Sequence, residues 1–338
     1  MSRRVLVLYC GGTIGMVPSL EGYVPQAGFG DRVRAELAGV AGQLPDYDLF
    51  ELDQLIDSAN LTPQDWSGIA GMLLAHWAGY DGFVLLHGTD TMAYTAAALS
   101  YMLLGADKPV ILTGSQIPLG QPRNDALDNL TSALMLAANP AIAEVCIYFR
   151  GKLLRGNRAR KVNSTAFEAF DSPNAPPLGQ LGIELTLRDD LLLAPGQPDF
   201  RVPTFDPAAV VMLGLYPGIP ARLVEAALDD PRVRGLILVS YGVGNPPDGD
   251  EALMAALGRA IERGVIVVNL TQCQQGPVCQ GAYATGATLN RLGVVPGYDL
   301  TPEAAFAKLH FLLALDWPSE EIRDVLPLPL CQECSLAP

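Results

Sequence analysis

Two short segments place hydroxyl and carboxylate side chains directly after apolar runs of the chain. The first, residues 9–15, puts Thr13 behind a pair of glycines. The second, residues 87–91, combines an imidazole, two hydroxyls and the carboxylate of Asp90. A hydroxyl on a glycine turn and a second hydroxyl beside a carboxylate are the parts of a nucleophile with an adjacent proton-transfer group. If the two segments converge, the sequence predicts nucleophilic catalysis.

Each segment also has a structural interpretation. Thr13 could cap a helix, and Asp90 could be the cap or the first-turn acid of the helix that follows it. His87 is predicted to be a structural histidine at a strand end, because no Gly-x-Ser-x-Gly elbow accompanies it and no other histidine lies three to five residues away. The glycines fit neither the G-x-G-x-x-G spacing nor a Gly-Lys-Ser/Thr loop, so no nucleotide cofactor is predicted.

A third segment, residues 155–161, concentrates positive charge in an acidic chain. It contains three arginines and Lys161, whereas the whole chain has 22 Lys+Arg against 36 Asp+Glu. The run is either a solvated face or a means of delivering one ammonium group into a site.

The elements that position these segments alternate along the chain. Continuous apolar runs predict buried parallel strands, and the segments between them have helical spacing. The alternation predicts an α/β fold, with a larger N-terminal domain that contains a mainly parallel sheet and a smaller C-terminal α/β domain. The predicted strands are 5–9, 82–86, 109–112, 144–149, 210–215, 236–240 and 265–270, and the predicted helices are 63–77, 91–104, 125–138, 220–228, 251–263 and one that begins at 301–303.

A change in the sequence pattern divides the chain. Three prolines, Pro195, Pro198 and Pro203, interrupt the strand–helix rhythm, which resumes near residue 208. We therefore predict an N-terminal catalytic domain over 1–190, a linker over 191–207 and a C-terminal domain over 208–338.

Composition limits the functional classes. The chain has 338 residues, of which 49% are hydrophobic and 17% charged, and its formal net charge is −14. The acidic balance argues against binding to nucleic acid or to an anionic membrane. No uninterrupted apolar run of about 18 residues predicts a membrane span, and the apolar run after the first residues is too short for a signal peptide, so a cytoplasmic protein is expected.

The six cysteines are too sparse for a disulfide scaffold. Only Cys331 and Cys334 form a C-x-x-C pair, and no second pair or nearby histidine completes a zinc site. We expect no metal, and we expect the last residues to be a frayed tail.

The motifs resemble the L-asparaginase family of bacterial type, and most closely its cytoplasmic type I enzymes. Residues 9–15 are similar to the first family signature, with Cys10 where the family usually has threonine, and residues 82–92 match the second signature throughout. The likeness extends to about residue 325. Further family-like blocks lie at 113–116, 155–158, 172–174, 241–245 and 269–273.

This resemblance implies catalytic roles. Thr13 is similar to the nucleophilic threonine that forms an acyl-enzyme with the side-chain carbonyl of asparagine, and Tyr23 to the loop tyrosine that hydrogen-bonds it. Thr89, Asp90 and Lys161 resemble the second catalytic cluster. Which group takes the proton from the nucleophile stays open, because spacing does not decide it.

The resemblance also implies a set of substrate contacts, in which carboxylates pair with the α-ammonium group and hydroxyls or N–H groups with the α-carboxylate. These residues are Asp57, Ser58, Ala59, Thr89, Asp90 and Ser115.

Some type I enzymes carry a second, allosteric asparagine site at a dimer interface. The family residues there are an arginine, a threonine and a cysteine, and the matching positions here are Val239, Arg160 and Cys273. Because valine cannot hold a carboxylate through two N–H groups, we expect this effector site to be weakened or absent, although Arg160 could partly compensate.

The sequence thus predicts an L-asparaginase, an amidohydrolase that converts L-asparagine to L-aspartate and ammonia without a cofactor. The resemblance implies a homo-oligomer, a dimer or a tetramer built from dimers, with each site between one subunit's first domain and its partner's second. Two alternatives are a subunit of a tRNA-dependent amidotransferase and an inactive oligomer that binds amino acids. The first would want an extra N-terminal module and a basic surface, and the joint presence of the catalytic residues disfavours the second.

Overall fold

The computed structural model describes residues 3–20, 22–26 and 28–335. The chain forms two compact units, Met1–Val202 and Pro203–Pro338. The main helices of the first unit are α1 (Phe29–Leu37), α2 (Pro63–His76), α3 (Met92–Met102) and α4 (Ala126–Ala137). Its strands are β1 (Arg4–Tyr9), β2 (Met16–Ser19), β3 (Gly22–Pro25), β4 (Asp46–Glu51), β5 (Gly82–Leu86), β6 (Leu103–Leu104), β7 (Val110–Thr113), β8 (Val145–Phe149), β9 (Lys152–Arg155), β10 (Arg160–Lys161), β11 (Phe170–Asp171), β12 (Gly179–Leu181), β13 (Leu185–Leu187) and β14 (Asp199–Phe200).

The first unit is built on one large sheet with the order β13-β12-β9-β8-β7-β5-β1-β4. The strands from β4 to β8 in that order pair in parallel, and β9, β12 and β13 add antiparallel pairs at one side. The central strands β1, β5, β7 and β8 are almost entirely buried and apolar, as strands covered on both faces must be. The predicted mainly parallel sheet is confirmed.

The second unit contains a parallel sheet with the order β15 (Val210–Gly214), β16 (Gly235–Ser240), β17 (Ile266–Thr271) and β18 (Val295–Pro296). Its helices are α5 (Ala221–Leu228), α6 (Glu251–Glu262), α7 (Ala284–Leu292), α8 (Pro302–Ala314) and α9 (Ser319–Val325). The smaller C-terminal α/β domain is therefore confirmed. Helix α8 begins as its sequence indicates, since the Thr301 hydroxyl accepts a hydrogen bond from the N–H of Ala304 and Pro302 occupies the first turn.

The C-terminal segment corrects one expectation. The predicted frayed tail is instead packed, with Glu333 and Cys334 buried. The reason is Lys308 of α8, a fully buried ammonium that requires a counter-charge; it lies 2.5 Å from Glu333 Oε1 and donates to the carbonyl of Leu326 at 2.8 Å. Residues 336–338 lie outside the described residues.

Helix α8 also buries a titratable ring. His310 packs edge-on against Phe306, and burial lowers its pKa to about 4, with Asp206 acting in the opposite direction. Because the folded pKa lies below the unfolded value of about 6.5, folding favours the neutral ring. This contribution to stability is complete above about pH 6.5 and is lost as the pH falls towards 4.

We expect His310 to make the free energy of unfolding fall as the pH is lowered. Between pH 7 and pH 4 the wild type should lose about 3 kcal/mol through His310, and His310→Gln should lose correspondingly less. Urea unfolding at fixed protein concentration and several pH values measures the difference. Parallel curves for the two proteins would refute the assignment.

Candidate active site

Four loops meet at one edge of the main sheet. Strands β4, β1, β5 and β7 are consecutive neighbours and run in parallel, so the loops that follow them leave from the same edge. These loops carry Asp57, Thr13, Thr89 and Ser115 respectively. Strand β4 was not predicted, because its sequence is acidic rather than apolar.

The loops after β1 and β5 are in direct contact through glycines. Gly12 has a φ of 93°, and a Cβ atom on it would overlap the backbone of Gly88, while a Cβ on Gly88 would overlap the Ser58 side chain. The N–H of Cys10 donates to the carbonyl of Leu86 at 2.9 Å. Thr13 directly follows Gly12, and Thr89 directly follows Gly88. Each threonine is therefore one residue beyond the contact between these two glycines. Only glycine permits this approach, which explains the residue type in both segments.

Thr13 lies in a single 3₁₀ turn, Thr13–Gly15, whose preceding residue is Gly12 and which has no side-chain cap. Its side chain is partly buried, and among the described residues its hydroxyl has no recorded hydrogen bond. Thr13 thus does not cap a helix. Its hydroxyl is presented on the turn and remains available to a ligand.

Lys161 joins the second cluster from β10. Its ammonium group donates to Thr89 Oγ1 at 2.8 Å and to Asp90 Oδ1 at 2.8 Å. The Lys161 side chain is 20% exposed and that of Asp90 60% exposed, so the ion pair contributes little to stability and mainly fixes geometry. Since Thr89 accepts from Lys161, its own proton points elsewhere, and the hydroxyl donates to Gln116 Oε1 at 3.5 Å.

The segment 57–59 forms a short turn beside these loops. The Asp57 carboxylate accepts from the N–H of Ala59 at 3.1 Å, and Ser58 is buried while Asp57 and Ala59 are exposed. The carbonyl of Ser58 accepts from the Thr91 hydroxyl at 2.8 Å, which fastens the segment to the loop after β5. A carboxylate with an exposed face is thereby held near the Thr89 cluster.

The loop after β7 rests on a buried carboxylate that the sequence analysis did not identify. Asp125 accepts from the backbone N–H groups of Gln116 and Ile117, each at 3.0 Å. Gln116 in turn donates through Nε2 to the carbonyl of Ala166 at 3.0 Å. Asp125 was interpreted only as a helix start, and no periodic signal distinguishes that role from a loop anchor.

Ser115, beside Gln116, has a buried hydroxyl without a hydrogen-bond partner among the described residues. A buried hydroxyl is costly unless it finds a partner, so a bound ligand or a water molecule would stabilise it.

Tyr23 lies on the β2–β3 hairpin, opposite Pro18. The residue is 51% exposed, and among the described residues it makes no hydrogen bond to Thr13. The hairpin directly follows the Thr13 turn.

Both ring nitrogens of His87 lie within hydrogen-bond distance of groups in the fold. Its Nδ1 lies 2.7 Å from the Gly88 carbonyl and its Nε2 3.0 Å from Thr95 Oγ1, and burial lowers its pKa. Cys10 is also buried, and burial raises the pKa of its thiol to about 12, so it packs as a small apolar residue.

Among the described residues, no group of three His, Cys, Asp or Glu side chains is arranged to hold a metal ion. No helix in the described ranges is long and apolar enough to cross a membrane.

Comparison with known proteins identifies the family of the chain. The family described as Asparaginase, N-terminal matches residues 4–192, and the Glutaminase/Asparaginase C-terminal domain matches residues 209–326. The chain belongs to the asparaginase family. L-asparaginase 1 of Escherichia coli is 46% identical over 325 residues, which cover 96% of each chain.

Two solved asparaginase structures resemble this one closely. L-asparaginase I of Vibrio cholerae aligns with a TM-score of 0.91 at 43% identity, covering 99% of this chain and 100% of that chain. The thermostable L-asparaginase of Thermococcus kodakarensis aligns with a TM-score of 0.88 at 32% identity, with the same coverage. The family resemblance inferred from the motifs is confirmed.

The residues discussed for an effector site of the asparaginase family lie in both units. Val239 is in β16 and partly buried, the N–H of exposed Cys273 donates to Thr271 Oγ1 at 3.0 Å, and Arg160 is in β10. Since the Val239 side chain has no N–H group to offer a carboxylate, we expect a hyperbolic dependence of the initial rate on asparagine concentration. Steady-state rates across a wide concentration range test this, and a clearly sigmoidal curve would contradict it.

Proposed function

We propose that this protein is an L-asparaginase that hydrolyses L-asparagine to L-aspartate and ammonia through an acyl-enzyme on Thr13. The observation that carries the proposal is the meeting of two groups at one sheet edge, the Thr13 turn and the Thr89–Asp90–Lys161 cluster, in a chain of the asparaginase family. The E. coli and V. cholerae relatives bear the same activity in their names.

In the first step the Thr13 oxygen attacks the side-chain carbonyl of asparagine. A bond forms between that oxygen and the carbonyl carbon, the carbon–nitrogen bond breaks, and the proton of the hydroxyl leaves with the amide nitrogen as ammonia. In the second step water adds to the ester, aspartate departs and the Thr13 hydroxyl is regenerated. Both steps pass through an oxyanion, which requires preorganised donors.

The N–H groups of Gly12 and Thr89 are candidates for those donors. Neither donates a backbone hydrogen bond among the described residues, and both belong to the two touching loops. Removing a single donor of this kind typically lowers kcat by about 10²–10³-fold.

The charges of the site suit a zwitterionic substrate. Asp90 and Asp57 supply carboxylates for the α-ammonium group, and Ser58, Ala59 and Ser115 supply hydroxyl and N–H groups for the α-carboxylate. In the proposal the Tyr23 hydroxyl hydrogen-bonds Thr13, as the family resemblance implies, and Lys161 orients Thr89.

The proposal is tested by measuring ammonia release from asparagine with a coupled assay, and Thr13→Ala is the control. The same assay with glutamine measures selectivity, because one extra methylene changes binding by only about 1–3 kcal/mol in a permissive pocket. Activity that depends on a charged tRNA, or binding of asparagine without turnover, would favour the two alternatives instead.

We also propose that the protein is cytoplasmic and forms a homo-oligomer, either a dimer or a tetramer built from dimers. The sparse cysteines fit a reducing compartment. Light scattering coupled to gel filtration measures the assembly, and an active monomer would exclude a site shared between subunits.

A further inference from the structure

A single arginine joins the two ends of the β2–β3 hairpin. Arg32 Nη2 donates to the carbonyl of Gly15 at 2.8 Å and to the carbonyl of Gln26 at 3.1 Å. Gly15 is the residue before β2, and Gln26 is the residue after β3. One nitrogen atom therefore fastens the start and the end of the hairpin that carries Tyr23, and it does so on the residue that closes the Thr13 turn.

The side chain of Arg32 lies on an aromatic support. Its guanidinium carbon is 5.4 Å from the centroid of the Phe29 ring, and that buried ring lies 4.2 Å from the ring of Tyr9 at the end of β1. Helix α1 itself gains little from a cation one turn from its N-terminus, where the helix dipole favours anions. The position of the charge is better explained by the two carbonyls that it binds.

The support under the turn is tightly packed. A Cβ atom on Gly15 would overlap the Tyr9 hydroxyl, so the turn rests directly on this ring. Tyr9 is completely buried, and burial raises its pKa to about 12. Among the described residues, neither the Tyr9 hydroxyl nor Arg32 Nε has a hydrogen-bond partner. Arg32 holds the hairpin through Nη2.

We propose that Arg32 is a positioning residue that sets the place of the Tyr23 hairpin relative to Thr13. This inference rests on the proposed function, in which Tyr23 acts on the nucleophile. Arg32 touches neither substrate nor the reacting atoms; it acts through Tyr23 by fixing both ends of the segment that carries it. Its loss should therefore impair the same step as loss of the tyrosine hydroxyl.

A double-mutant cycle on the full-length enzyme tests the inference. The variants are Arg32→Met, Tyr23→Phe and the double variant, with kcat and KM measured for asparagine. We expect Arg32→Met to lower kcat by about tenfold, since small misplacements of catalytic groups have effects of this size or larger. We expect the double variant to be within about twofold of Tyr23→Phe, because the arginine has nothing left to position.

The control is Arg34→Met on the same helix. Arg34 pairs with Asp31 at 2.6 Å and makes no recorded contact with the hairpin, so its replacement should leave kcat unchanged. Arg32→Lys keeps the cation without the guanidinium geometry and should retain part of the activity. If Arg32→Met does not fold, as judged by its melting curve, the Arg32→Lys cycle with Tyr23→Phe replaces it.

The outcomes separate the inference from the function on which it rests. Multiplicative losses in the double variant, or a loss equally large in Arg34→Met, would overturn the positioning role. Full activity of Tyr23→Phe would remove the route through which Arg32 is proposed to act, while inactive Thr13→Ala would leave the asparaginase mechanism standing. A Thr13→Ala variant with a tenth or more of the wild-type kcat would overturn the proposed function itself.

Discussion

Thr13→Ala is expected to lower kcat for asparagine by about 10⁴-fold or more, because no acyl-enzyme forms without the hydroxyl. Any residual rate would come from direct attack by water in a site that still binds the substrate and the oxyanion. Thr13 is partly buried in a single turn and caps no helix, so the change should leave the fold intact. Initial rates of ammonia release measure the effect.

Two further measurements sharpen this prediction. Thr13→Ser keeps a hydroxyl on the same turn and should retain far more turnover than the alanine variant. The alanine variant should still bind aspartate, which a rise in its melting temperature on adding aspartate would report. An alanine variant with a tenth or more of the wild-type kcat would show that another group is the nucleophile.

Lys161→Met is expected to lower kcat by about 10³-fold, within the range typical of lost general acid–base groups. The substitution removes the two 2.8 Å bonds to Thr89 and Asp90, which leaves Thr89 without its donor and Asp90 without its cation. Methionine keeps most of the side-chain length, so packing changes little. Because Asp90 is largely exposed, the unfolding free energy should change by no more than about 1 kcal/mol.

The chain offers a matched control for this lysine. Lys152 also forms a partly exposed ion pair, with Asp171 at 3.1 Å, but lies on β9 outside the cluster. Lys152→Met should show the same small change in stability and nearly full kcat. If both lysine variants lost activity equally, the effect of Lys161 would be one of charge or folding rather than of contact with Thr89.

The sequence predicted the central strands and helices because their signals are local. Strand β5, predicted at 82–86, is Gly82–Leu86, and helix α2 begins at Pro63 after a capping threonine as its residues indicate. The hairpin β2–β3, helix α1 and strand β4 were not predicted. Strands β2 and β3 have only four residues each, β4 is acidic, and the apolar stripe of α1 consists of just Phe29, Val33 and Leu37, so none of these segments gives a long apolar signal.

The candidate site divides in the same way. Residue types in the segments 9–15 and 87–91 indicated hydroxyl and carboxylate chemistry, but their structural alternatives stayed open until the turn at Thr13 was seen to have no side-chain cap and Asp90 was seen to pair with Lys161. Lys161 was linked to that cluster through family resemblance alone. Asp125 and Arg32 escaped notice, because their partners are backbone groups that carry no sequence signature.

The amino-acid sequence by itself determined which chemical groups this protein possesses and where the central apolar strands lie, because residue type and hydrophobic period are properties of neighbouring residues. The order of strands β4, β1, β5 and β7 was decided only by tertiary structure, since pairing joins residues as far apart as Val5 and Gly82. That order brings the loops to one edge. The same holds for the buried Lys308–Glu333 pair, in which a charge excluded from water takes its partner from a distant part of the chain.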